Sequence, residues 1–88
     1  MNINNENLFY IKILSLSGEV FSGDIYSFSA KNISGEFDIL KSHTNFISLL
    51  EKGEIKYRAK GFMTYTNVDI NNGLLIFEND KAEVFINF

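Results

Sequence analysis

Apolar and polar residues alternate along several segments of the chain, and this period of two residues dominates the sequence pattern. In residues 54–60, Ile55, Tyr57 and Ala59 alternate with charged side chains, which is typical of a β-strand with one buried face. Residues 81–88 alternate in the same way, and their predicted inner side carries Ala82, Val84, Ile86 and Phe88. Both segments are therefore predicted to be half-buried strands.

Two further segments, residues 8–14 and 62–70, are rich in the aromatic and β-branched residues that favour strands. Polar turns separate the predicted strands, and their residues tolerate the left-handed conformation of tight hairpins. These turns are Ser17-Gly18-Glu19, Asn71-Asn72-Gly73 and Asn79-Asp80. We therefore predict an all-β fold, a small antiparallel β-sandwich of two sheets with about eight to ten short strands.

The segment from residue 44 to residue 51 fits two kinds of secondary structure. As a helix, it would place Phe46, Leu49 and Leu50 on one face. As a strand, it would be short but of ordinary length. The sequence pattern leaves both interpretations open.

Length and composition predict one small globular domain. The chain of 88 residues is expected to form a single domain over residues 1–88, with its Asn-rich first seven residues frayed. A hydrophobic fraction of 45%, with nine Phe and four Tyr, supplies enough apolar area for a core. Eight Lys and Arg residues against eleven Asp and Glu residues give a net charge of −3. This charge argues against a nucleic-acid partner, because phosphate binding needs a basic surface.

Two features of the sequence bear on its compartment. It contains no Cys, so disulfides, thiolate metal sites and cysteine nucleophiles are excluded. Its apolar runs are short, and its N-terminus lacks the basic start and apolar block of a secretion signal. We expect no signal peptide, no transmembrane segment and no direct insertion into a membrane.

Residues with catalytic potential are few. His43 is the only His and belongs to no recognisable catalytic motif, so a hydrogen-bonding role is favoured over catalysis. Glu36 and Asp38 flank Phe37 and would point to the same side of a strand. Such a pair supplies fewer oxygen ligands than a cation such as Ca²⁺ normally takes. We expect no catalytic residue, no cofactor and no metal site.

The aromatic residues suggest a second kind of function, a platform that binds a ligand as carbohydrate-binding modules do. Its candidate members are Tyr10, Tyr26, Tyr57, Tyr65, Phe9 and Phe85. A domain of this size needs most of its aromatic residues for its core, so core packing is favoured over a platform. A free-standing β-sandwich binding module for a carbohydrate or peptide remains the alternative function.

Three motifs of the sequence resemble the epsilon subunit of F-type ATP synthase. Residues 34–50 match a signature of that family in unbroken register at Gly35, Glu36, Phe37, Ile39, Leu40, His43, Ile47 and Leu49. Residues 17–23 are similar to the family's opening hairpin, and residues 73–84 are similar to its final segment. The three motifs occur in the family's order and cover the chain from about residue 8 to residue 88.

Departures from the family pattern fall mostly on turn residues. Asp38 replaces a Gly, Lys41-Ser42 replaces Pro-Gly, and Thr44-Asn45 replaces Ala-Pro. Such changes alter the stiffness of loops more than the pattern of strands. The resemblance therefore implies the β-sandwich of the family, whereas the detailed shape of the loop around His43 is not implied.

The resemblance implies a non-catalytic role in a rotor. In this family the β-sandwich holds the foot of the gamma subunit and rests on the polar loops of the membrane c-ring, so both are the expected partners. Carried over by position, Glu36 and His43 would lie on the c-ring side, where Glu36 would accept hydrogen bonds from basic or amide groups. A hydrophobic strip on an outer sheet face is expected towards the gamma subunit.

The resemblance also implies a location, and it includes one further departure from the family pattern. The chain is expected to be a peripheral subunit at the cytoplasmic face of a bacterial membrane. Typical bacterial members continue into a C-terminal domain of two helices, which is absent from a chain that ends at Phe88. A natural short form and a shortened chain both fit this absence.

Overall fold

The computed structural model describes residues 7–88, which form an all-β fold of eight strands. The strands are β1 (Phe9–Ser15), β2 (Gly18–Asn32), β3 (Gly35–Ile39), β4 (Phe46–Leu50), β5 (Gly53–Ala59), β6 (Thr66–Ile70), β7 (Gly73–Phe77) and β8 (Lys81–Ile86). In this part of the chain no helix is long and apolar enough to cross a membrane. The expected fraying of the N-terminus falls almost entirely on residues 1–6, which lie outside the described residues.

The strands form two layers that share the long strand β2. The first layer contains β4, β7, β8, β1 and the N-terminal half of β2, and the second contains β3, the C-terminal half of β2, β5 and β6. β2 has 15 residues, whereas the other strands have five to seven. It pairs with β1 through residues 18–25 and with β5 and β3 through residues 25–32. All eight strands are therefore joined in one curled sheet whose two halves face each other.

β2 contains an irregularity where it passes from one layer to the other. Its pairing with β5 shifts register between Ile25 and Ser27, which leaves Tyr26 as an extra residue in a β-bulge. The amide of Lys60 donates to the carbonyl of Asp24 at 3.0 Å beside this point. Because a bulge bends its strand, it marks the corner between the two layers.

The inner faces of both layers form one hydrophobic core. Its largest fully buried side chains are Ile11, Ile13, Leu75, Phe77 and Val84 from the first layer and Ile25, Phe28, Ile39 and Ile55 from β2 and the second layer. No buried polar or charged residue occurs in residues 7–88. Because each such side chain contributes about 1.5–3 kcal/mol when buried, this core holds the layers together, and the predicted β-sandwich is confirmed.

One strand pair differs from the predicted antiparallel arrangement. β1 and β8 pair in parallel from Tyr10 opposite Lys81 to Ser15 opposite Ile86. The other strand pairs in residues 7–88 are antiparallel. A short hairpin turn cannot join parallel neighbours, so the turns of the sequence contained no signal for this pair.

The segment that fitted both a helix and a strand is strand β4. It pairs antiparallel with β7 over its whole length. Leu50 is buried at one end, whereas Ile47 and Leu49 are 69% and 68% exposed on the opposite face. The strand is thus apolar on both faces, and this hides the two-residue period on which the sequence prediction depends.

Two details of the strand predictions are wrong. Residues 62–65 precede β6 instead of belonging to a strand, and Phe62 and Met63 are 62% and 91% exposed. Phe88, predicted to face inward, lies beyond β8 and is 58% exposed. Asn87 has a positive φ of 56°, so the chain turns out of the strand before Phe88 and the alternation ends there.

Truncation of a core phenylalanine should destabilise the fold strongly. Phe28 is fully buried between the layers, and we expect Phe28→Ala to lower the free energy of unfolding by about 3–5 kcal/mol because it leaves a cavity. The matched control is Phe62→Ala, whose side chain is 62% exposed, with an expected change within about 0.5 kcal/mol. Urea denaturation followed by circular dichroism measures both values, and equal losses would contradict the placement of Phe28.

Candidate partner-binding surfaces

The outer face of the first layer carries a continuous row of apolar side chains. The register places Leu49 of β4 beside Leu74 of β7 and Leu74 beside Phe85 of β8. Phe85 lies in turn beside Leu14 of β1. These positions alternate with the buried positions of their strands, so their side chains point away from the core. We call Leu14, Leu49, Leu74 and Phe85 the apolar row.

A second row of side chains beside the apolar row changes from apolar to charged. Ile47 of β4 lies beside Ile76 of β7. Ile76 lies beside Glu83 of β8, which is next to Lys12 of β1. The apolar surface is therefore broad over β4 and β7 and ends at an acidic and a basic side chain on β8 and β1.

A shallow apolar cavity lies at one end of the apolar row. Its volume is about 290 Å³, and its lining includes Leu14, Leu16, Leu74, Phe85 and Phe88. Leu16 and Phe88 at its rim are 84% and 58% exposed. Sites of this kind accept a large apolar side chain in many protein interfaces, so the cavity extends the contact surface that the row offers.

The sequence contains a signal for the apolar row that is separate from its two-residue alternation. Residues 74–77 of β7 are apolar at every position, and a strand of this kind is covered on both faces. Leu75 and Phe77 fill the core, whereas Leu74 and Ile76 are only partly buried. The continuous apolar sequence of β7 therefore places apolar side chains on an outer face that the domain itself does not fully cover.

The outer face of the second layer is polar. Its side chains are Ser27, Ser29 and Lys31 on β2, Glu36 and Asp38 on β3, Glu54, Lys56 and Arg58 on β5, and Asn67 and Asp69 on β6. Neighbouring strands are linked across this face by side chains. Ser29 Oγ donates to Asp38 Oδ1 at 2.6 Å, and Asn67 Nδ2 donates to Glu54 Oε1 at 3.1 Å. This face suits water or a polar partner.

Glu36 lies on this polar face, opposite Lys31 in the register of β3 and β2. It is exposed and lines a surface depression of about 390 Å³ together with Asp38 and Lys56. Within residues 7–88 its carboxylate accepts no hydrogen bond, whereas the neighbouring Asp38 accepts one from Ser29. Of the two carboxylates, Glu36 is therefore the one with no hydrogen bond from residues 7–88, and it can accept hydrogen bonds from another molecule.

His43 lies in the loop between β3 and β4, where it contacts aromatic side chains. Its ring centroid is 4.9 Å from that of Phe46 and 5.9 Å from that of Phe77. Its Nδ1 is 2.8 Å from the carbonyl oxygen of Thr44. The loop is also held by the turn before β8, because the amide of Ser42 donates to Asp80 Oδ1 at 2.6 Å. His43 thus lies on the end of an aromatic cluster while its ring remains exposed.

Glu36 and His43 lie on different elements of the structure. Glu36 projects from the outer face of β3, and the rest of that strand, about 10 Å of extended chain, leads to Ile39 before the loop of His43 begins. In the described part of the chain no hydrogen bond or ring contact joins the two side chains. Residues 7–88 also contain no group of three or more His, Cys, Asp or Glu residues that could hold a metal ion.

The six candidate platform residues are spread over three parts of the fold. Phe9 and Tyr57 are buried in the core, whereas Tyr10 and Phe85 lie on the outer face of the first layer. Tyr26 and Tyr65 lie beside the second layer, where the charged groups of Arg58 and Lys56 are 4.1 and 5.5 Å from their ring centroids. The six rings therefore do not form one platform.

The fold and its surfaces define a class of protein, a small β-sandwich domain with one largely apolar and one polar outer face. The family described as ATP synthase, Delta/Epsilon chain, beta-sandwich domain matches residues 8–87. The chain therefore belongs to this family, and the resemblance seen in its motifs is confirmed.

The curated relatives are named ATP synthase epsilon chain. The protein of Helicobacter pylori strain 26695 is 29% identical over 77 residues, which cover 88% of this chain and 61% of the relative. The protein of strain Shi470 is 37% identical with the same coverage. That of Wolinella succinogenes is 36% identical over 57 residues, which cover 65% of this chain and 44% of the relative. The chain thus spans no more than 61% of the length of these relatives.

Two solved structures share the fold. A chain in the cryo-EM structure of the central stalk and c-ring of Tetrahymena thermophila mitochondrial ATP synthase has a TM-score of 0.76 and 15% identity, with 90% of this chain and 63% of that chain covered. A chain in the Euglena gracilis mitochondrial ATP synthase structure with OSCP, F1 and c-ring has a TM-score of 0.82 and 11% identity, with 97% and 56% covered. Both agree with the β-sandwich architecture.

The buried phenol of Tyr57 should make stability fall at high pH. Burial raises the pKa of Tyr57 above its ordinary value of 10.0, and a hydrogen bond with Thr66 offsets part of this effect. The folded state thus favours the neutral phenol, so this stabilisation is complete below pH 10.0 and is lost as the pH rises through the folded-state pKa. We expect the free energy of unfolding to fall more steeply above pH 10.0 for the unmodified chain than for Tyr57→Phe. Denaturant titrations at a series of pH values measure this free energy. The same dependence on pH in the unmodified chain and in Tyr57→Phe would refute the expectation.

Proposed function

We propose that this chain is a non-catalytic central-stalk subunit of an F-type ATP synthase, which couples the gamma subunit to the membrane c-ring during proton-driven ATP synthesis. The observation that carries the proposal is the apolar row on the outer face of a domain of this family. Curated relatives named ATP synthase epsilon chain, and related folds in structures titled with the central stalk and c-ring, support it.

We assign the gamma subunit to the outer face of the first layer. Covering the apolar row and Ile47 would remove from water side chains that the isolated domain leaves partly or largely exposed. Full burial of an exposed side chain of this size contributes about 1.5–3 kcal/mol, and the members of the row that are already partly buried contribute less. The cavity between Leu16 and Phe88 would accept one apolar side chain of the partner, and the neighbouring Lys12 and Glu83 would fix the orientation of the complex through charge.

We assign the c-ring to the polar side of the domain. Glu36 is exposed without a hydrogen-bonding partner in residues 7–88, and a carboxylate in this state can accept hydrogen bonds from basic or amide groups of polar loops. For His43 we propose a supporting role on the same side, in which its ring, packed on Phe46, holds the loop between β3 and β4. The two residues would then contact the partner from separate elements.

The proposed task of the chain is mechanical, and the chain would carry out no chemical step itself. His43 is the one residue of the chain with an imidazole, and within residues 7–88 the ring contacts Phe46, Phe77 and a main-chain carbonyl but no nucleophilic side chain. Torque transfer requires a stiff body, and the core between the two layers supplies it. The chain would work as a peripheral subunit at the cytoplasmic face of a bacterial membrane.

Loss of the apolar row should weaken binding to the cognate gamma subunit. Replacement of Leu49, 68% exposed, by Ser removes apolar contact without disturbing the core. We expect the Kd to rise roughly tenfold, because about 1.5 kcal/mol of burial is lost. The control is Met63→Ser, which is 91% exposed on the loop before β6. Calorimetry on purified subunits measures the Kd of both variants. An unchanged Kd for Leu49→Ser, or an equal rise for both variants, would contradict the assignment of the gamma subunit to this face.

Reversal of the charge at Glu36 should weaken the contact between the domain and the c-ring. We expect Glu36→Lys to weaken association with the c-ring and to lower the rate of proton-driven ATP synthesis in the assembled complex, because the acceptor is replaced by a cation. Asp69→Lys, an exposed charge reversal elsewhere on the same polar face, separates the local role of Glu36 from an effect of the net charge of that face. Vesicles containing the complex report synthesis, and unchanged binding and synthesis in Glu36→Lys would reject the role of this residue.

A further inference from the structure

Main-chain and side-chain amides join the turn before β7 to the end of the chain. Asn72 Nδ2 donates to the main-chain oxygen of Phe88 at 2.9 Å, and the amide of Phe88 donates to Asn72 Oδ1 at 3.0 Å. The amide of Asn87 donates to the carbonyl of Asn72 at 3.0 Å, and the amide of Asn71 donates to Asn87 Oδ1 at 2.7 Å. We call these four bonds the amide clamp. Both polar atoms of the Asn72 side chain are engaged in it.

Asn72 precedes Gly73, and no other Asn of the chain precedes a Gly. Gly73 is closely packed, because a Cβ at this position would lie 3.1 Å from Leu50 Cδ1 and 3.3 Å from the carbonyl oxygen of Phe85 and would displace these neighbours. In an Asn-Gly pair the absence of a side chain leaves the following main-chain nitrogen open to attack the Asn side chain. Asn72 is therefore followed by the residue that most favours Asn deamidation, while the amide clamp holds its side chain in place.

We propose that Asn72 is a deamidation site that the amide clamp keeps unreactive. When the clamp opens, the main-chain nitrogen of Gly73 loses its proton and forms a bond to Cγ of Asn72, the bond from Cγ to Nδ2 breaks, and Nδ2 takes up a proton and leaves as ammonia. Water then opens the cyclic imide to Asp or isoaspartate at position 72. The net reaction consumes one water and releases one ammonia, and it needs no other reactant.

Conversion of Asn72 would prevent the clamp from closing again. The donor to the main-chain oxygen of Phe88 becomes a carboxylate oxygen, so a hydrogen bond is replaced by repulsion between two acceptors. Phe88 lines the cavity at the end of the apolar row. If the gamma subunit binds there, which rests on the function proposed above, deamidation would also weaken that contact. Opening of the amide clamp would then alter the binding surface irreversibly.

Incubation of the folded protein at mildly alkaline pH, followed by mass spectrometry and isoaspartate detection, tests the proposal. Removal of Phe88 takes away both partners of the Asn72 side chain, and Phe88→Ala keeps both because they are main-chain atoms. We expect several-fold faster conversion at position 72 without Phe88 than in the full chain or in Phe88→Ala. Circular dichroism confirms that each variant is folded.

The other Asn residues are internal controls, and Asn72→Gln abolishes conversion at this position because the five-membered imide cannot form. Equal rates with and without Phe88, or no conversion in either, would overturn the proposal. Binding of Asn72→Asp to the gamma subunit is a separate measurement. Weaker binding supports the consequence for docking, whereas unchanged binding alongside clamp-dependent conversion contradicts only that consequence and leaves the modification site established.

Discussion

The whole arrangement depends on the length of β2. With 15 residues, this strand pairs with β1 in one layer and with β3 and β5 in the other, so the two inner faces are held opposite each other by a continuous backbone. Each inner face alone could not remove its apolar side chains from water. Together they enclose a core without a buried polar residue in residues 7–88, and the direction of every outward side chain follows from that closure.

The sequence predicted strands most clearly where one face is polar, and it left the structure open where this contrast is lost. β5 alternates apolar and charged residues, so its position was evident, whereas β4 and β7 are apolar on both faces. Phe88 continues the alternation in the sequence, but the positive φ of Asn87 turns it outward. The parallel pairing of β1 with β8 arises from long-range closure, which local turn residues do not encode.

The sequence selected residues for a candidate contact region, but it did not reveal how the fold arranges them. The motif match selected Glu36 and His43 as one contact region, yet the structure puts Glu36 on the polar face of β3 and His43 on an aromatic cluster at the following loop. An apolar strip was expected but could not be located, because its members Leu14, Leu74 and Phe85 are distant in sequence and become neighbours only through strand register. Two faces of opposite polarity on one stiff body suit a part held between two different neighbours.

The parallel pair of β1 and β8 has a consequence for how the chain reaches its native state. β8 lies between β1 and β7 in the first layer, so a strand that comes later in the sequence than both of its neighbours fills a gap in the middle of the sheet. Until it is inserted, β1 and β7 each present an unpaired edge that can recruit other chains. Productive folding of the first layer must therefore wait until β8 is available for pairing, and the polypeptide is most vulnerable to aggregation while β1 and β7 are formed but β8 is not yet inserted.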